Sequence, residues 1–83
     1  MIQLTYTQRR IITAIDRHLA DHGDGPTIRE IGAEVGLSST SSVALQLTRL
    51  EERGVLARGG RSWRTARLTE AAEERLAGRT RHR

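Results

Sequence analysis

The stretch from residue 26 to residue 54 constrains the fold most, because it predicts two short helices joined by a tight turn. Pro26 stops a helix from running in from upstream. Thr27 and Glu30 have the spacing of a capping box, so the first helix of the pair is predicted to begin at Thr27. Its apolar residues recur at helical spacing and form one stripe, Ile28, Ile31 and Val35. Gly36 is predicted to end this helix in a left-handed conformation.

The second helix of the pair is predicted to begin at one of three hydroxyl residues, since each can cap a helix N-terminus: Ser38, Ser39 and Thr40. At about 100° per residue, its core-facing residues are Val43, Leu47 and Leu50. The opposite face carries Ser41, Leu45, Thr48 and Glu52. A helix with small polar residues on its outer face is the shape that enters a DNA major groove, although such helix pairs also occur as mere packing units.

The flanking segments complete a small domain. Thr5 and Gln8 form a second capping box that predicts a first helix, whose buried stripe is Ile11 or Ile12, Ile15 and Leu19. Residues 55–58 and 63–68 are predicted as two strands around a turn at 59–62. The fold class is therefore mainly α: a winged helix-turn-helix of three helices plus a two-stranded β-hairpin wing.

Residues 69–83 are predicted as a separate short C-terminal helix and basic tail, following a winged-helix domain over residues 1–68. Thr69 is predicted to cap this helix, which runs over residues 70–77 with Ala72 and Leu76 on its apolar side. Gly78 is predicted to end the helix, and residues 79–83 are expected to be disordered. This helix could pack on its own domain or, through the small apolar patch of Ala71, Ala72 and Leu76, on a second copy. A monomer or a weak homodimer through residues 69–77 is therefore expected in dilute solution, with two protomers on a palindromic site.

Charge is distributed unevenly along the chain. All 14 basic residues are Arg; residues 1–52 contain five of them with seven acids, and residues 53–83 contain nine with three acids. This asymmetry indicates a polyanionic partner, although an Arg-rich end can also be a solvated tail. Arg58, Arg61 and Arg64 on the wing are the predicted phosphate contacts. Trp63 lies among them, either as part of that surface or as a lid on the core.

Nothing in the composition predicts catalysis, a cofactor or a metal. The chain has no Cys, and its serines are explained by helix capping. His18 and His22 have a helical ligand spacing, but no third ligand lies nearby. No apolar run approaches the roughly 18 residues of a membrane span, and no signal peptide is evident, so a cytoplasmic, nucleoid-associated protein is expected.

Four segments in register resemble a known family: L-T-x-x-Q-R, P-T-I-R-E-I-G, G-L-S-S-T-S-S-V-A-x-Q-L and L-E-E-R-G. Over about residues 4 to 68, they are similar to the N-terminal DNA-binding domain of LexA repressors, in the variant of actinobacteria and related Gram-positive bacteria. The resemblance implies a winged helix, base contacts at the positions of Ser39, Ser41, Ser42, Ala44 and Leu45, and GAAC and GTTC half-sites. Leu45 departs from the His common in this branch. The family's second domain cleaves itself with a Ser-Lys dyad, and without any Lys these 83 residues are not expected to do so.

Three functions remain open from the residues. The favoured one is a sequence-specific double-stranded DNA-binding transcriptional regulator, and the family resemblance implies a LexA-like repressor of palindromic operators that acts in the SOS response. The alternative is a winged-helix protein–protein interaction module with a basic tail, and the third is nonspecific nucleic-acid binding by the Arg-rich end. A protein-docking face should carry large apolar anchors, whereas the outer helix face carries Ser41, Thr48 and Glu52 with only Leu45, so DNA is favoured.

Overall fold

A computed structural model describes residues 4–77, and it describes residues 74–77 by their backbone alone. The helices and strands, in order, are α1 Tyr6–His22, α2 Ile28–Val35, α3 Thr40–Glu52, β1 Leu56–Arg58, a 3-10 turn Trp63–Thr65, β2 Ala66–Leu68 and α4 Glu70–Ala77. This is the predicted architecture of three helices, an antiparallel hairpin and a further helix. Gly78 as the end of α4 and a disordered tail at 79–83 lie outside the described residues.

Both predicted capping boxes are confirmed. Gln8 N–H donates to the Thr5 hydroxyl at 3.0 Å, and Thr5 N–H donates to the Gln8 side chain at 3.1 Å. The same reciprocal pair joins Thr27 and Glu30, so the first turns of α1 and α2 are satisfied by their own sequence. Ser39 is the cap of α3, and Gly36 ends α2 with a φ of 81°. The starts of all three helices therefore follow from local sequence.

One apolar cluster holds the helices and the hairpin together. Its buried members come from every helix and both strands: Ile11, Ile12, Ile15, Ile31, Val43, Leu47, Leu50, Val55, Leu56, Leu68 and Ala72. Leu19, Ile28 and Val35, predicted as core, pack at its edge. Gln8 is the one buried polar residue of the described part, and its amide donates to Gln46 at 3.1 Å, which ties the first turn of α1 to the middle of α3.

The hairpin is shorter than predicted. β1 and β2 pair antiparallel over three residues each, with Leu56 opposite Leu68 and Arg58 opposite Ala66. The predicted strand over residues 63–68 is wrong in its first half, where the chain forms a 3-10 turn. Two contacts explain the turn: the Ser62 hydroxyl accepts from Arg64 N–H at 3.1 Å, and the Arg64 carbonyl accepts from Gly25 N–H at 2.8 Å, outside the ladder.

Helix α4 packs on the same core as the other helices. The side chain of Ala72 is fully buried, and the Thr69 hydroxyl donates to the Gly54 carbonyl at 2.7 Å while accepting from Ala72 N–H. Ala72 is therefore covered by its own chain and does not contribute to the apolar patch predicted for self-association, whereas Ala71 is exposed. The Leu76 side chain lies outside the described residues, and the homodimer stays a prediction.

Within residues 4–77, no helix is both long enough and apolar enough to cross a bilayer.

The turn between α2 and α3 depends on a close approach at Gly32. The Gly32 carbonyl accepts from Leu37 N–H at 2.9 Å, and a Cβ added at Gly32 would lie only 2.7 Å from the Leu37 carbonyl oxygen. The second distance is too short for any side chain, and the blocking atom is backbone. Only glycine lets the two helices meet at this angle.

We expect Gly32→Ala to destabilise the protein by about 1–3 kcal/mol, because the added methyl pushes the turn out of place. Helix propensity alone predicts the opposite, a gain of about 1 kcal/mol. The free energy of unfolding, measured by urea titration, shows whether Gly32→Ala destabilises or stabilises the protein. Ala33→Gly, at an exposed position of the same helix, calibrates local propensity. A more stable Gly32→Ala variant would show that the close approach does not exist.

Candidate nucleic-acid interface

The rotation of α3 about its axis is fixed by three buried side chains. Val43, Leu47 and Leu50 are at most 1% exposed, as predicted. Their burial turns the opposite side of the helix to solvent, and the exposed residues there are Ser41, Ser42, Leu45, Thr48, Arg49 and Glu52. Leu45 is 49% exposed, which leaves a branched apolar side chain standing on an otherwise polar surface.

The sequence-predicted base contacts lie together at this surface. Ser41, Ser42 and Leu45 occupy its N-terminal half, and Thr48 continues it one turn further. Ser39 is exposed too, but its hydroxyl accepts from Ser42 N–H at 3.4 Å as the cap of α3. Ala44 is half-buried at the margin of the surface. Hydroxyls and a methyl-rich side chain are groups that can meet base edges and thymine methyls.

On the wing, Arg58 is engaged in contacts within the protein. Its guanidinium donates to both carboxylate oxygens of Glu51 in α3, at 3.0 and 3.1 Å, and to the Arg61 carbonyl at 2.8 Å. It also lies over the Trp63 ring, 3.9 Å from the ring centre. Trp63 is half-buried and packs against the core, which supports its interpretation as a lid.

Arg64 joins the wing to the loop between α1 and α2. Its guanidinium donates to the Asp24 carboxylate at 2.8 Å, and this hydrogen bond lowers the pKa of that carboxyl below its ordinary value. Next to it, Gly25 is buried against the wing: an added Cβ would lie 3.2 to 3.3 Å from the carbonyl oxygens of Trp63, Arg64 and Ala66. The base of the wing is thus seated on this loop by backbone contact as well as charge.

A groove runs between the wing and the first turns of α2 and α3. Among its lining residues are Arg29, Thr40, Arg61 and Ser62. Arg29 and Arg61 are exposed, and neither side chain has a hydrogen bond or ion pair among the described residues. Sequence reasoning missed Arg29, although its position beside the apolar stripe of α2 already places it off the core.

Arg10, Arg17 and His18 contact groups within the protein, away from this groove. Arg10 donates to the Glu34 carbonyl at 2.7 Å, and Arg17 is ion-paired with the Glu34 carboxylate. The His18 Nδ1 lies 2.8 Å from the Asp24 carbonyl. Over the described part of the chain, no three acidic or histidine side chains are gathered in a way that would hold a metal ion.

A three-helix body with an outward-facing helix after a tight turn, flanked by a seated hairpin, defines the winged helix-turn-helix class. The comparisons with known proteins agree with this fold. The family model described as the LexA DNA binding domain matches residues 1–65. The chain therefore belongs to the LexA DNA-binding domain family.

Several curated relatives are LexA repressors of actinobacteria. LexA repressor 1 of Nocardia farcinica is 54% identical over 56 residues, which cover 68% of this chain and 26% of the relative. The LexA repressor of Thermobifida fusca is 42% identical over 78 residues, or 94% of this chain and 30% of the relative. The LexA repressor of Streptomyces coelicolor is 54% identical over 55 residues, 66% of this chain and 24% of the relative. The matched part of the chain thus covers only 24% to 30% of the length of these relatives.

The Asp24–Arg64 pair predicts an acid-dependent loss of stability. Because the folded-state pKa of Asp24 is lowered, its contribution is present above the ordinary value of 3.8 and is lost as the pH falls through the folded value. The wild-type Tm should therefore exceed that of Asp24→Asn at pH 7, and the difference should shrink as the pH falls below 3.8. Asp16→Asn removes an exposed carboxyl without an ion pair in the described part and serves as the control. A Tm difference that is constant with pH would contradict the assignment.

Proposed function

We propose that this chain binds double-stranded DNA sequence-specifically and acts as a repressor of transcription. One observation carries the proposal: the outer face of α3 is polar and exposed beside a groove lined by two arginines, Arg29 and Arg61, whose side chains have no partner among the described residues. A helix of this kind reads base edges from the major groove, while cationic side chains beside it neutralise phosphates. The repressor role is taken from the names of the relatives.

Base readout falls to the N-terminal half of α3. The hydroxyls of Ser39, Ser41 and Ser42 can donate to or accept from base edges, and Leu45 can contact a thymine methyl. Thr48 and Ala44 border the same surface and complete the contact set that the sequence predicts. The preferred duplex is a palindrome with GAAC and GTTC half-sites, in keeping with the family resemblance.

Phosphate contact falls mainly to the groove. Arg61 in the wing loop and Arg29 in α2 both line the groove, so a DNA strand lying in it would meet two cations. Arg64 keeps guanidinium N–H groups beyond the one bonded to Asp24, and it remains part of the proposed surface. Arg58, the third wing residue predicted from sequence, is bound on several sides within the protein.

The interaction-module alternative is less well supported. Protein-docking surfaces depend on large apolar anchors near their centre. Among the described residues, the large hydrophobic side chains that stand exposed are Leu45 and Tyr6. Tyr6 lies on α1 and is not among the residues that line the groove between the wing, α2 and α3.

We further propose that the regulator is non-catalytic, works at the bacterial nucleoid in the cytoplasm, and binds a palindrome as two weakly associated protomers.

Selection of bound duplexes from random DNA tests base readout. The wild-type chain should recover a palindrome with GAAC and GTTC half-sites. Ser41→Ala and Leu45→Ala should change the recovered bases, because they remove groups that face base edges, whereas Arg61→Ala should weaken all duplexes about equally. If Arg61→Ala altered base preference while Ser41→Ala and Leu45→Ala did not, the groove assignment would be wrong.

The salt dependence of binding tests phosphate contact. One protomer should show a log–log slope on the order of −3 to −5, at nearly one unit per neutralised phosphate. Arg29→Gln should make that slope shallower by about one unit, since it removes one contact. Arg17→Gln is the matched control, because Arg17 pairs with Glu34 in a separate depression. An unchanged slope in Arg29→Gln would remove Arg29 from the interface, and a wild-type slope near zero would remove DNA as the partner.

A further inference from the structure

The guanidinium of Arg58 lies where three segments of the chain meet. It donates to the Glu51 carboxylate from the last turn of α3, to the Arg61 carbonyl in the wing loop, and it covers the Trp63 ring of the 3-10 turn. These four residues, which we call the wing clamp, therefore connect the helix that carries the base-reading surface to the tip of the wing.

The geometry of the wing clamp requires arginine at position 58. Two parallel N–H···O bonds to Glu51 need a planar fork, and the face of the same plane rests on Trp63. The Arg58 and Glu51 side chains are only 28% and 31% exposed, so solvent screens their attraction less than that of a surface pair. A Lys would keep the charge but lose the second hydrogen bond and the stacked plane.

A guanidinium used in this way is poorly available to DNA. Three of its five N–H donors are committed within the protein, and one face is covered by the Trp63 ring. The Arg61 side chain, in contrast, has no hydrogen-bonding partner among the described residues, while its own carbonyl is held by Arg58. The wing clamp thus fixes the backbone from which the free Arg61 side chain projects.

We propose that Glu51 and Arg58 are positioning residues for DNA binding, which hold the wing at the angle where Arg61 meets the phosphate backbone while α3 lies in the groove. This inference rests on the proposed function. It replaces a direct phosphate contact at Arg58 with an indirect role. It also assigns a function to Glu51, an acidic residue that a model based on charge alone would treat as unfavourable for DNA binding.

General electrostatic attraction and the wing clamp predict opposite changes in DNA affinity for the substitution Glu51→Gln. Glu51→Gln removes a negative charge, so general attraction to DNA should rise. The wing clamp predicts the reverse, because the Arg58 fork loses its charged partner and the wing is released. Glu52 is the matched control: it is the next residue of α3, it is exposed, it has no ion pair within the described residues, and it lies beyond Thr48, where the DNA contacts assigned to α3 end.

The experiment compares Glu51→Gln, Glu52→Gln and Arg58→Lys in the full chain, titrated against the duplex recovered by wild-type selection over a series of salt concentrations. Glu52→Gln should bind at least as tightly as wild type, with the wild-type slope. Glu51→Gln should bind several-fold more weakly, with a slope shallower by about one unit through loss of the Arg61 contact. Arg58→Lys should behave like Glu51→Gln although its charge is unchanged.

Trp63 provides a readout that does not involve DNA. It is the one Trp of the chain, so its fluorescence reports on the wing alone. Acrylamide should quench it more strongly in Glu51→Gln and Arg58→Lys than in wild type or Glu52→Gln, because the covering guanidinium is displaced. Circular dichroism at the same temperature checks that each variant keeps its helices.

The proposal is overturned if Glu51→Gln binds as tightly as Glu52→Gln with the wild-type slope, or if Arg58→Lys retains wild-type affinity and slope. Equal quenching of Trp63 in all variants would likewise show that the wing clamp does not hold the wing. Failure of the proposed function gives a different result: wild type then recovers no preferred duplex, while Trp63 quenching still reports whether Glu51 holds Arg58.

Discussion

Burial of one face of α3 is the constraint on which the rest of the structure depends. Val43, Leu47 and Leu50 are removed from solvent, and burying each is worth roughly 1.5–3 kcal/mol. A rotation of α3 by one residue, about 100°, would expose this stripe, so the orientation of the helix is strongly determined. Ser41 and Leu45 face solvent because they lie on the side of α3 opposite the buried stripe. The proposed base-reading surface therefore follows from core packing.

The strands of the wing are anchored in this core by the buried Leu56 and Leu68, and the rest of the wing is attached mainly by charge and backbone contact. Trp63 is its half-buried apolar side chain, while Arg58 and Arg64 bind carboxylates of Glu51 and Asp24 on the helical body. Guanidinium–carboxylate pairs fix the orientation of the wing more tightly than apolar packing does, because each hydrogen bond has a preferred direction. In a domain with so few aromatic residues, arginine therefore serves two purposes. Arg58 and Arg64 hold the wing on the helical body, and in our proposal Arg61 binds phosphate.

The features that sequence predicted are those specified locally. Capping boxes at Thr5 and Thr27 start their helices through residues three positions away, and the stripes of α1 to α3 follow from helical periodicity. The 3-10 turn escaped prediction because one of its two stabilising contacts joins Arg64 to Gly25, which is distant in sequence. The pairing of Arg58 with Glu51 escaped for a related reason: composition shows how many arginines a wing has, but only the fold shows which carboxylates they reach.

A crystal structure of the chain on the duplex it selects would test the central claim most directly. The account predicts α3 in the major groove with Ser41 and Leu45 at base edges, Arg61 within hydrogen-bond distance of a phosphate, and Arg58 still bonded to Glu51. A complex in which the outer face of α3 lies away from the bases, or in which Arg58 has left Glu51 to bind a phosphate, would contradict it.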